Sequence, residues 1–281
     1  MIQEGNPDWR ILMSKWSDIT VYDLSCKFGV GCLPWPTMEP LEMKFFKRLA
    51  PNGANGQILT HSNHVGTHLD GPIHFDTAGR DMASLELTKL CHPGVVVDLS
   101  DEFSEDDFAI YTSKDIEKRV EVREGDILII NTGYHKYGWD MPGTADEKRY
   151  MIRHPGPDMA FVQWVRDKKL RWIGVDCGSA DHPMNTKIRD WEPMEAKKCE
   201  EKLFARYGKT LAELYPWPDH YQAMHIELFK QPYEAILAEC LGGDIDKLSN
   251  KRCVIGAFPW KLVGGEACVT RIVAFDGFED A

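Results

Sequence analysis

The run Asp126-Ile-Leu-Ile-Ile-Asn131 decides the fold class, because four consecutive apolar residues between polar ones are typical of a strand buried in a sheet. Residues 158–169, which follow it, place apolar side chains at helical spacing and predict a helix. Such alternation predicts an α/β fold. Three more short apolar runs support it: Val95-Val-Val-Asp-Leu99, Trp172-Ile-Gly-Val-Asp176 and Cys253-Val-Ile-Gly-Ala-Phe258.

The stretch 183–221 departs from this alternation. It is rich in charged residues, Trp and Pro, and it carries no strand signal. Two interpretations stay open: a helical excursion that covers a pocket or makes a subunit contact, or a solvated surface insertion. We otherwise expect residues 1–281 to form a single domain, because a chain that is 43% hydrophobic can bury one large core.

Composition constrains the partners. A net charge of −11 disfavours nucleic acid, whose phosphates attract basic surfaces. The sequence has no 18-residue apolar run and starts without the basic-then-apolar layout of a signal peptide, so we expect no membrane span and a cytoplasmic location. The eight cysteines are scattered without a C-x2-C pair, which indicates reduced and mostly buried thiols. We expect a small-molecule substrate.

The run His64-Val-Gly-Thr-His68-Leu-Asp70-Gly-Pro-Ile-His74-Phe75 carries the functional signal. Imidazole and carboxylate ligands this close together suit a borderline divalent cation such as Zn²⁺, and imidazole also accepts Mn²⁺ or Fe²⁺. All four positions are even, so an extended segment directs the four side chains to one face. Gly66 and Gly71-Pro72 disfavour a helix, so we place His64, His68 and Asp70 on a strand or strand edge, with a turn at Gly71-Pro72 before His74.

Other interpretations fit this run less well. A solvated loop carrying ordinary histidines is one, although their clustering at one parity beside a carboxylate makes coincidence a poor explanation. The zincin order H-E-x-x-H does not match the H-x3-H-x-D-x3-H order found here. No G-x-G-x-x-G or G-x-S-x-G run occurs, so neither a nicotinamide cofactor nor a serine nucleophile is indicated. Cys177 is a possible nucleophile, but no paired histidine is evident.

The complete run 64–75 resembles the signature of the metal-dependent cyclase-like hydrolases, which include bacterial kynurenine formamidases, isatin hydrolases and cyclic imide hydrolases. Further features match it more loosely and in the same order along the chain. They are Pro34-Trp35-Pro36, Gly174-Val-Asp176 with Ser179 and Asp181, and His225 with Glu239.

The resemblance implies a mixed β-sheet unit of the swivelling β/β/α type with flanking helices, and a homo-oligomer. It implies that His64, His68 and Asp70 bind a divalent metal, with zinc expected first and manganese as the alternative. His74 would be the catalytic acid/base, and Trp35 would contact the substrate. In members with two metals, Asp70 would bridge them, and the second ion would be held by His225 and Glu239, with His220 as a competing choice for the late histidine.

The expected reaction is hydrolysis of an amide-like C–N bond. A divalent cation lowers the pKa of its bound water from about 16 to about 7, and imidazole, with an ordinary pKa of about 6.5, can take up and return the proton. Within the family that this chain resembles, its length is closer to that of isatin and imide hydrolases than to that of the shorter kynurenine formamidases, so the resemblance implies opening of a cyclic amide or imide. An aryl formamidase acting on N-formylkynurenine, a lactone hydrolase and a non-catalytic metal-binding protein remain as alternatives.

Overall fold

The computed structural model describes residues 16–278, which are built around a mixed nine-stranded sheet. The strand order in that sheet is β1-β13-β11-β5-β7-β9-β10-β4-β12, while β2 pairs with β3 and β6 with β8 in two small sheets. The strands are β1 Thr20–Asp23, β2 Glu42–Lys47, β3 Gly56–Thr60, β4 His68–Asp70, β5 Cys91–Asp98, β6 Ile110–Tyr111, β7 Ile127–Asn131, β8 Gly156–Pro157, β9 Trp172–Val175, β10 Ile236–Glu239, β11 Lys251–Ala257, β12 Ala267–Val269 and β13 Ile272–Asp276.

Four parallel strands, β5, β7, β9 and β10, form the centre of the large sheet. Both faces of this centre are buried, which explains why the four runs read as continuous apolar sequence. Along β5, Val95 and Val97 pack into one hydrophobic cluster and Val96 into the cluster on the opposite face. The remaining strands of the sheet, β11, β13, β1, β4 and β12, pair in antiparallel fashion at its two sides.

Helices flank the sheet. The helix Phe161–Asp167 lies within the predicted range 158–169 and packs, together with Ala223–Phe229, on the face that buries Val95 and Val97. The other α-helices are Leu49–Asn52, Leu87–Leu90, Ser100–Phe103, Ser113–Glu117, Glu147–Ile152, Ile188–Trp191, Pro193–Tyr207 and Leu211–Leu214. Short 3₁₀ helices cover Pro72–His74, Met82–Ser84, Tyr134–Tyr137, Pro183–Asn185 and Ile245–Leu248. Across residues 16–278, every helix is too short or too polar to cross a lipid bilayer.

The stretch 183–221 is helical rather than irregular. Its longest helix, Pro193–Tyr207, begins with a proline in the first turn and ends at Gly208, whose φ of 66° suits glycine. Buried residues of this stretch, including Ile188, Leu203 and Tyr215, form a cluster with Phe108 from the main body. The stretch therefore packs its own small core against the sheet unit, which fits the interpretation of a helical excursion.

The sequence-based prediction of an α/β fold with a mixed sheet and flanking helices is confirmed. All four predicted runs form strands, and their ends differ from the predicted bounds by at most four residues. All eight cysteines are free thiols, and six of them are buried. Burial raises the pKa of the Cys177 thiol well above its usual value, which disfavours that thiol as a nucleophile.

Candidate metal centre

Strands β4 and β10 bring three of the candidate ligands together. His68 and Asp70 lie two residues apart on β4 and share a face, while Leu69 between them points into the hydrophobic cluster on the other face. The antiparallel register places Glu239, the last residue of β10, directly opposite His68. The distance between His68 Nε2 and Glu239 Oε2 is 3.7 Å.

His64 and His74 reach the same place from outside the strand. The prediction that His64 belongs to the strand with His68 and Asp70 is wrong, because Gly66 has a φ of 62° and interrupts the extended conformation. His64 still meets the strand: its Nδ1 lies 3.0 Å from Asp70 Oδ1. His74 ends the 3₁₀ helix Pro72–His74, as the Gly-Pro turn predicted.

A helix supplies the late histidine. His225 lies in the first turn of Ala223–Phe229, where the Asp181 carboxylate accepts hydrogen bonds from the backbone N–H groups of Met224 and His225. The same carboxylate accepts a hydrogen bond from His225 Nδ1 at 2.7 Å. Asp181 therefore fixes both the start of the helix and the orientation of the imidazole ring.

Asp70 is the centre of the cluster. It is almost fully buried, and one of its oxygens, Oδ1, lies 3.0 Å from His64 Nδ1 and 3.3 Å from His68 Nε2. The other oxygen, Oδ2, lies 3.3 Å from His225 Nε2, which is also 3.2 Å from Glu239 Oε1. Two groups of possible metal ligands share this carboxylate: His64, Asp70 and His74, and His68, Asp70 and Glu239.

Three of the imidazoles have the arrangement that metal-binding histidines adopt, with one ring nitrogen toward the metal and the other donating to a fixed oxygen. His64 directs Nδ1 to Asp70 and Nε2 to Glu266, 2.6 Å away. His68 directs Nε2 to the cluster and Nδ1 to the backbone oxygen of Gly66 at 2.7 Å. His225 does the same, with Nδ1 donating to Asp181 as described above.

Two buried atoms of this cluster lack hydrogen bonds among the described residues: His68 Nε2 and Asp70 Oδ1. They are 3.3 Å apart but are not aligned for a hydrogen bond. Leaving a buried polar atom unpaired costs roughly 1–3 kcal/mol, so such atoms require an explanation. A cation between them would pair both, and imidazole with carboxylate is the ligand chemistry of zinc and manganese. The residues present therefore fit a divalent metal.

The electrostatics of the cluster point the same way. Burial opposes charge on His64, but the carboxylates of Asp70 and Glu266 outweigh it and raise the pKa of His64 to about 10. Burial likewise opposes charge on Asp70, yet His64 and His68 hold the pKa of that carboxyl well below its usual value. Protons on the imidazoles balance the buried carboxylates, and a divalent cation competes with those protons. Metal binding should therefore release protons.

His74 differs from these three histidines. Its Nδ1 lies 2.9 Å from Glu266 Oε2, and its ring stacks at a tilt on that of His64, with ring centroids 4.3 Å apart. Its side chain is 19% exposed, whereas those of His64, His68 and His225 are 7% exposed or less. His74 thus lies at the open side of the cluster, where it can meet a substrate and water.

Glu266 is the residue of this site that sequence reasoning missed. It directly precedes β12, whose register places Ala267 opposite Asp70. Nothing local distinguishes it among the 44 Asp and Glu residues of the chain. Only the pairing of β12 with β4 brings Glu266 beside His64 and His74.

Aromatic residues form the walls of a cavity of about 140 Å³ above the cluster. Trp35 reaches it because its backbone N–H donates to the backbone oxygen of His64 at 3.0 Å, which ties the Trp-Pro segment to the metal motif. Phe75 packs against the ring of His225 with a centroid distance of 5.4 Å. Trp191 and Lys187 line the cavity as well, so the stretch 183–221 covers part of this pocket.

Other candidates lie elsewhere. His220 lines a different depression with Pro216 and Glu227, so the late histidine of the cluster is His225. Asp176 does not line the cavity above the cluster, and its carboxylate accepts hydrogen bonds from Thr132 and His135.

A larger cavity, of about 370 Å³, lies beside β12. Among the described residues its lining has no carboxylate and a single imidazole, His61, so it does not offer a metal site.

The chain resembles known proteins over most of its length. Residues 22–182 match the model of the Cyclase family. Kynurenine formamidase from Bacillus anthracis is 30% identical over 175 residues, which cover 62% of this chain and 73% of that protein. The enzyme of the same name from Geobacillus thermodenitrificans is 26% identical over 177 residues, or 63% and 74% of the two chains.

Solved structures share the fold at low identity. Isatin hydrolase A from Ralstonia solanacearum superposes with a TM-score of 0.74 at 18% identity and covers 98% of this chain and 99% of its own. An isatin hydrolase bound to the product analogue thioisatinate gives a TM-score of 0.72 at 21% identity, with 96% and 98% covered.

Proposed function

Because the chain belongs to the Cyclase family, we propose that it is a metal-dependent hydrolase that opens a cyclic amide or imide at its C–N bond. The observation that supports this proposal is that His74 is placed differently from the other three clustered histidines. His64, His68 and His225 each turn one ring nitrogen toward Asp70 and donate from the other to a fixed oxygen. His74 lies at the exposed side of the same cluster.

The ligand set in this proposal is His64, His68 and Asp70, with His225 and Glu239 completing a second position. A divalent cation bound there supplies a water of lowered pKa and polarises the substrate carbonyl. Zinc is the first expectation and manganese the alternative.

His74 moves the proton in this proposal. Its Nδ1 donates to Glu266, which leaves Nε2 to accept a proton from water and to return it to the leaving nitrogen. Transfer through a positioned imidazole contributes about 10²- to 10⁴-fold to the rate.

The substrate part of the proposal rests on the cavity walls. Trp35, Phe75 and Trp191 surround a narrow space, and aromatic faces favour flat partners by stacking and burial. A planar cyclic amide or imide fits such a space better than a formamide on a flexible chain. The fold shared with isatin hydrolases agrees with a ring substrate.

Hydrolysis of an aryl formamide is an alternative to ring opening, and a specific observation supports it. The similarity to kynurenine formamidases covers 73% of the Bacillus anthracis protein, and the same cluster serves any amide carbonyl. Lactone hydrolysis is a further alternative. The alternative that is not an enzyme is a metal-binding protein without catalysis. A cytoplasmic location, a homo-oligomer and a single domain with an insertion at 183–221 remain predictions.

A hydrolysis screen tests the proposal. The purified chain is stripped of metal with a chelator, reloaded with Zn²⁺ or Mn²⁺, and offered isatin, cyclic imides, N-formylkynurenine and lactones. We expect metal-dependent ring opening with the highest kcat/KM on a cyclic amide or imide. A clear preference for N-formylkynurenine would support the formamidase alternative, and metal binding without turnover of any compound would support the non-catalytic one.

A further inference from the structure

Glu266 contacts both a metal-ligand histidine and the acid/base through one oxygen atom. Its Oε2 lies 2.6 Å from His64 Nε2 and 2.9 Å from His74 Nδ1. We propose that Glu266 is a positioning residue that sets the ring orientation and the tautomer of both histidines and so couples metal holding to proton transfer. This inference rests on the proposed function of the site.

The chain fixes Glu266 from three directions. Its backbone oxygen accepts a hydrogen bond from the N–H of Gly71 at 2.9 Å, directly after Asp70. The side chain of Asn63 donates to Glu266 Oε1 at 2.9 Å, which orients the carboxylate plane. The pairing of β12 with β4 holds the backbone directly after Glu266. These contacts therefore hold the Glu266 carboxylate in one position, unlike that of a freely rotating surface side chain.

The contacts dictate where the ring protons lie. A carboxylate oxygen only accepts, so both His64 Nε2 and His74 Nδ1 must donate to it. In the neutral rings, this leaves His64 Nδ1 unprotonated toward Asp70, where it can bind metal. It also leaves His74 Nε2 unprotonated, which is the form that a general base requires. Without the acceptor, each ring could adopt the other tautomer or rotate.

Substitutions separate the charge from the contacts. Glu266→Ala removes the acceptor for both rings. Glu266→Gln keeps one amide oxygen for the rings if its NH₂ group faces Asn63, whose own amide can rotate by 180° to accept. We therefore expect alanine to be the more damaging change and glutamine to restore part of the activity.

The expected changes in kcat and in Zn²⁺ affinity follow from the role of Glu266 in orienting both histidines. Loss of a residue that orients a metal ligand typically lowers metal affinity or activity by about 10- to 100-fold. For Glu266→Ala we expect Zn²⁺ affinity and kcat each to fall in that range, with KM for the best screened substrate changed less than kcat. Asp126→Asn is the control, because it replaces an ion-paired carboxylate at the start of β7, at the opposite end of the parallel strands.

A double-mutant cycle provides the decisive readout, measured at saturating Zn²⁺. If Glu266 acts on the rate through His74, then Glu266→Ala should lower kcat in the wild type and have no further effect in the His74→Ala background. Its effect on Zn²⁺ affinity acts through His64 and should persist in both backgrounds. A merely structural role would lower stability in both backgrounds and produce no such split.

The outcomes separate this inference from the proposed function. Additive effects of the two substitutions on kcat, or normal kcat and Zn²⁺ affinity in Glu266→Ala, would overturn the role of Glu266, while His74→Ala would still lower kcat and metal removal would still abolish turnover. Full activity of the metal-free chain would overturn the proposed function itself.

Discussion

His74→Ala separates proton transfer from metal binding, because His74 could in principle do either. It belongs to one of the two possible ligand groups with His64 and Asp70. Its Nδ1, however, is held by Glu266 at 2.9 Å, and its ring is the most exposed of the four clustered histidines. We therefore expect the variant to keep its metal and to lose most of its turnover.

The size of the loss follows from the role. Removing a general acid/base typically costs about 10²- to 10⁴-fold in rate. Since each tenfold change corresponds to about 1.36 kcal/mol, the barrier should rise by about 2.7–5.4 kcal/mol. The retained cation still polarises the carbonyl, so turnover should fall without vanishing.

The assay pairs steady-state kinetics with metal analysis on the same preparation. His92→Ala serves as a matched control, because His92 is a partly buried histidine on β5 whose Nδ1 lies 3.1 Å from the backbone oxygen of Pro93. We expect the control to keep both metal and rate. Loss of metal in His74→Ala would reassign His74 as a ligand, and normal turnover would remove it from the mechanism.

Three further predictions concern separate parts of the molecule. Asp181→Asn should weaken metal binding by about 10- to 100-fold in a chelator competition, since Asp181 orients a ligand histidine; unchanged affinity would count against that role. Trp35→Ala should lower kcat/KM for the ring substrate by roughly 1–3 kcal/mol and leave metal content unchanged; indifference would point to another wall of the cavity. Burial opposes charge on His135, but hydrogen bonds to Asp176 and Asp246 raise its pKa to about 10. Because the pKa is higher in the folded state than in the unfolded chain, where it is about 6.5, the protonated imidazole stabilises the fold. This stabilisation is fully present below about pH 6.5 and is lost as the pH rises toward 10. In denaturant unfolding, we accordingly expect His135→Gln to have a lower free energy of unfolding than the wild type at pH 6, with a smaller difference at pH 10. The same difference at both pH values would contradict a charged His135.

The sequence predicted the strands well because burial on both faces leaves a continuous apolar signal, as in β7 and β9. It also predicted that the residues of the run 64–75 lie together, but the prediction of one strand for His64, His68 and Asp70 was wrong. His64 approaches Asp70 across a glycine with positive φ and not along a shared strand. The spacing therefore predicted that these residues lie close together, but it did not predict the backbone path between them.

Other parts of the site depend on long-range pairing that no local pattern encodes. Glu266 becomes part of it only because β12 pairs with β4, about 200 residues earlier in the chain. His225 and His220 could not be separated by sequence, since both lie in a polar, aromatic stretch. The helix start capped by Asp181 selects His225. Contacts of this kind follow from tertiary packing and not from propensity.

Metal content measured together with activity tests the central claim most directly. The purified chain, its Asp70→Asn variant and the chelator-treated wild type are analysed for zinc and manganese and assayed on the ring substrate. We expect about one or two divalent ions per chain in the wild type, recovery of activity on adding back Zn²⁺ or Mn²⁺, and loss of both metal and activity in the variant. A metal-free preparation that retains full activity would contradict the account.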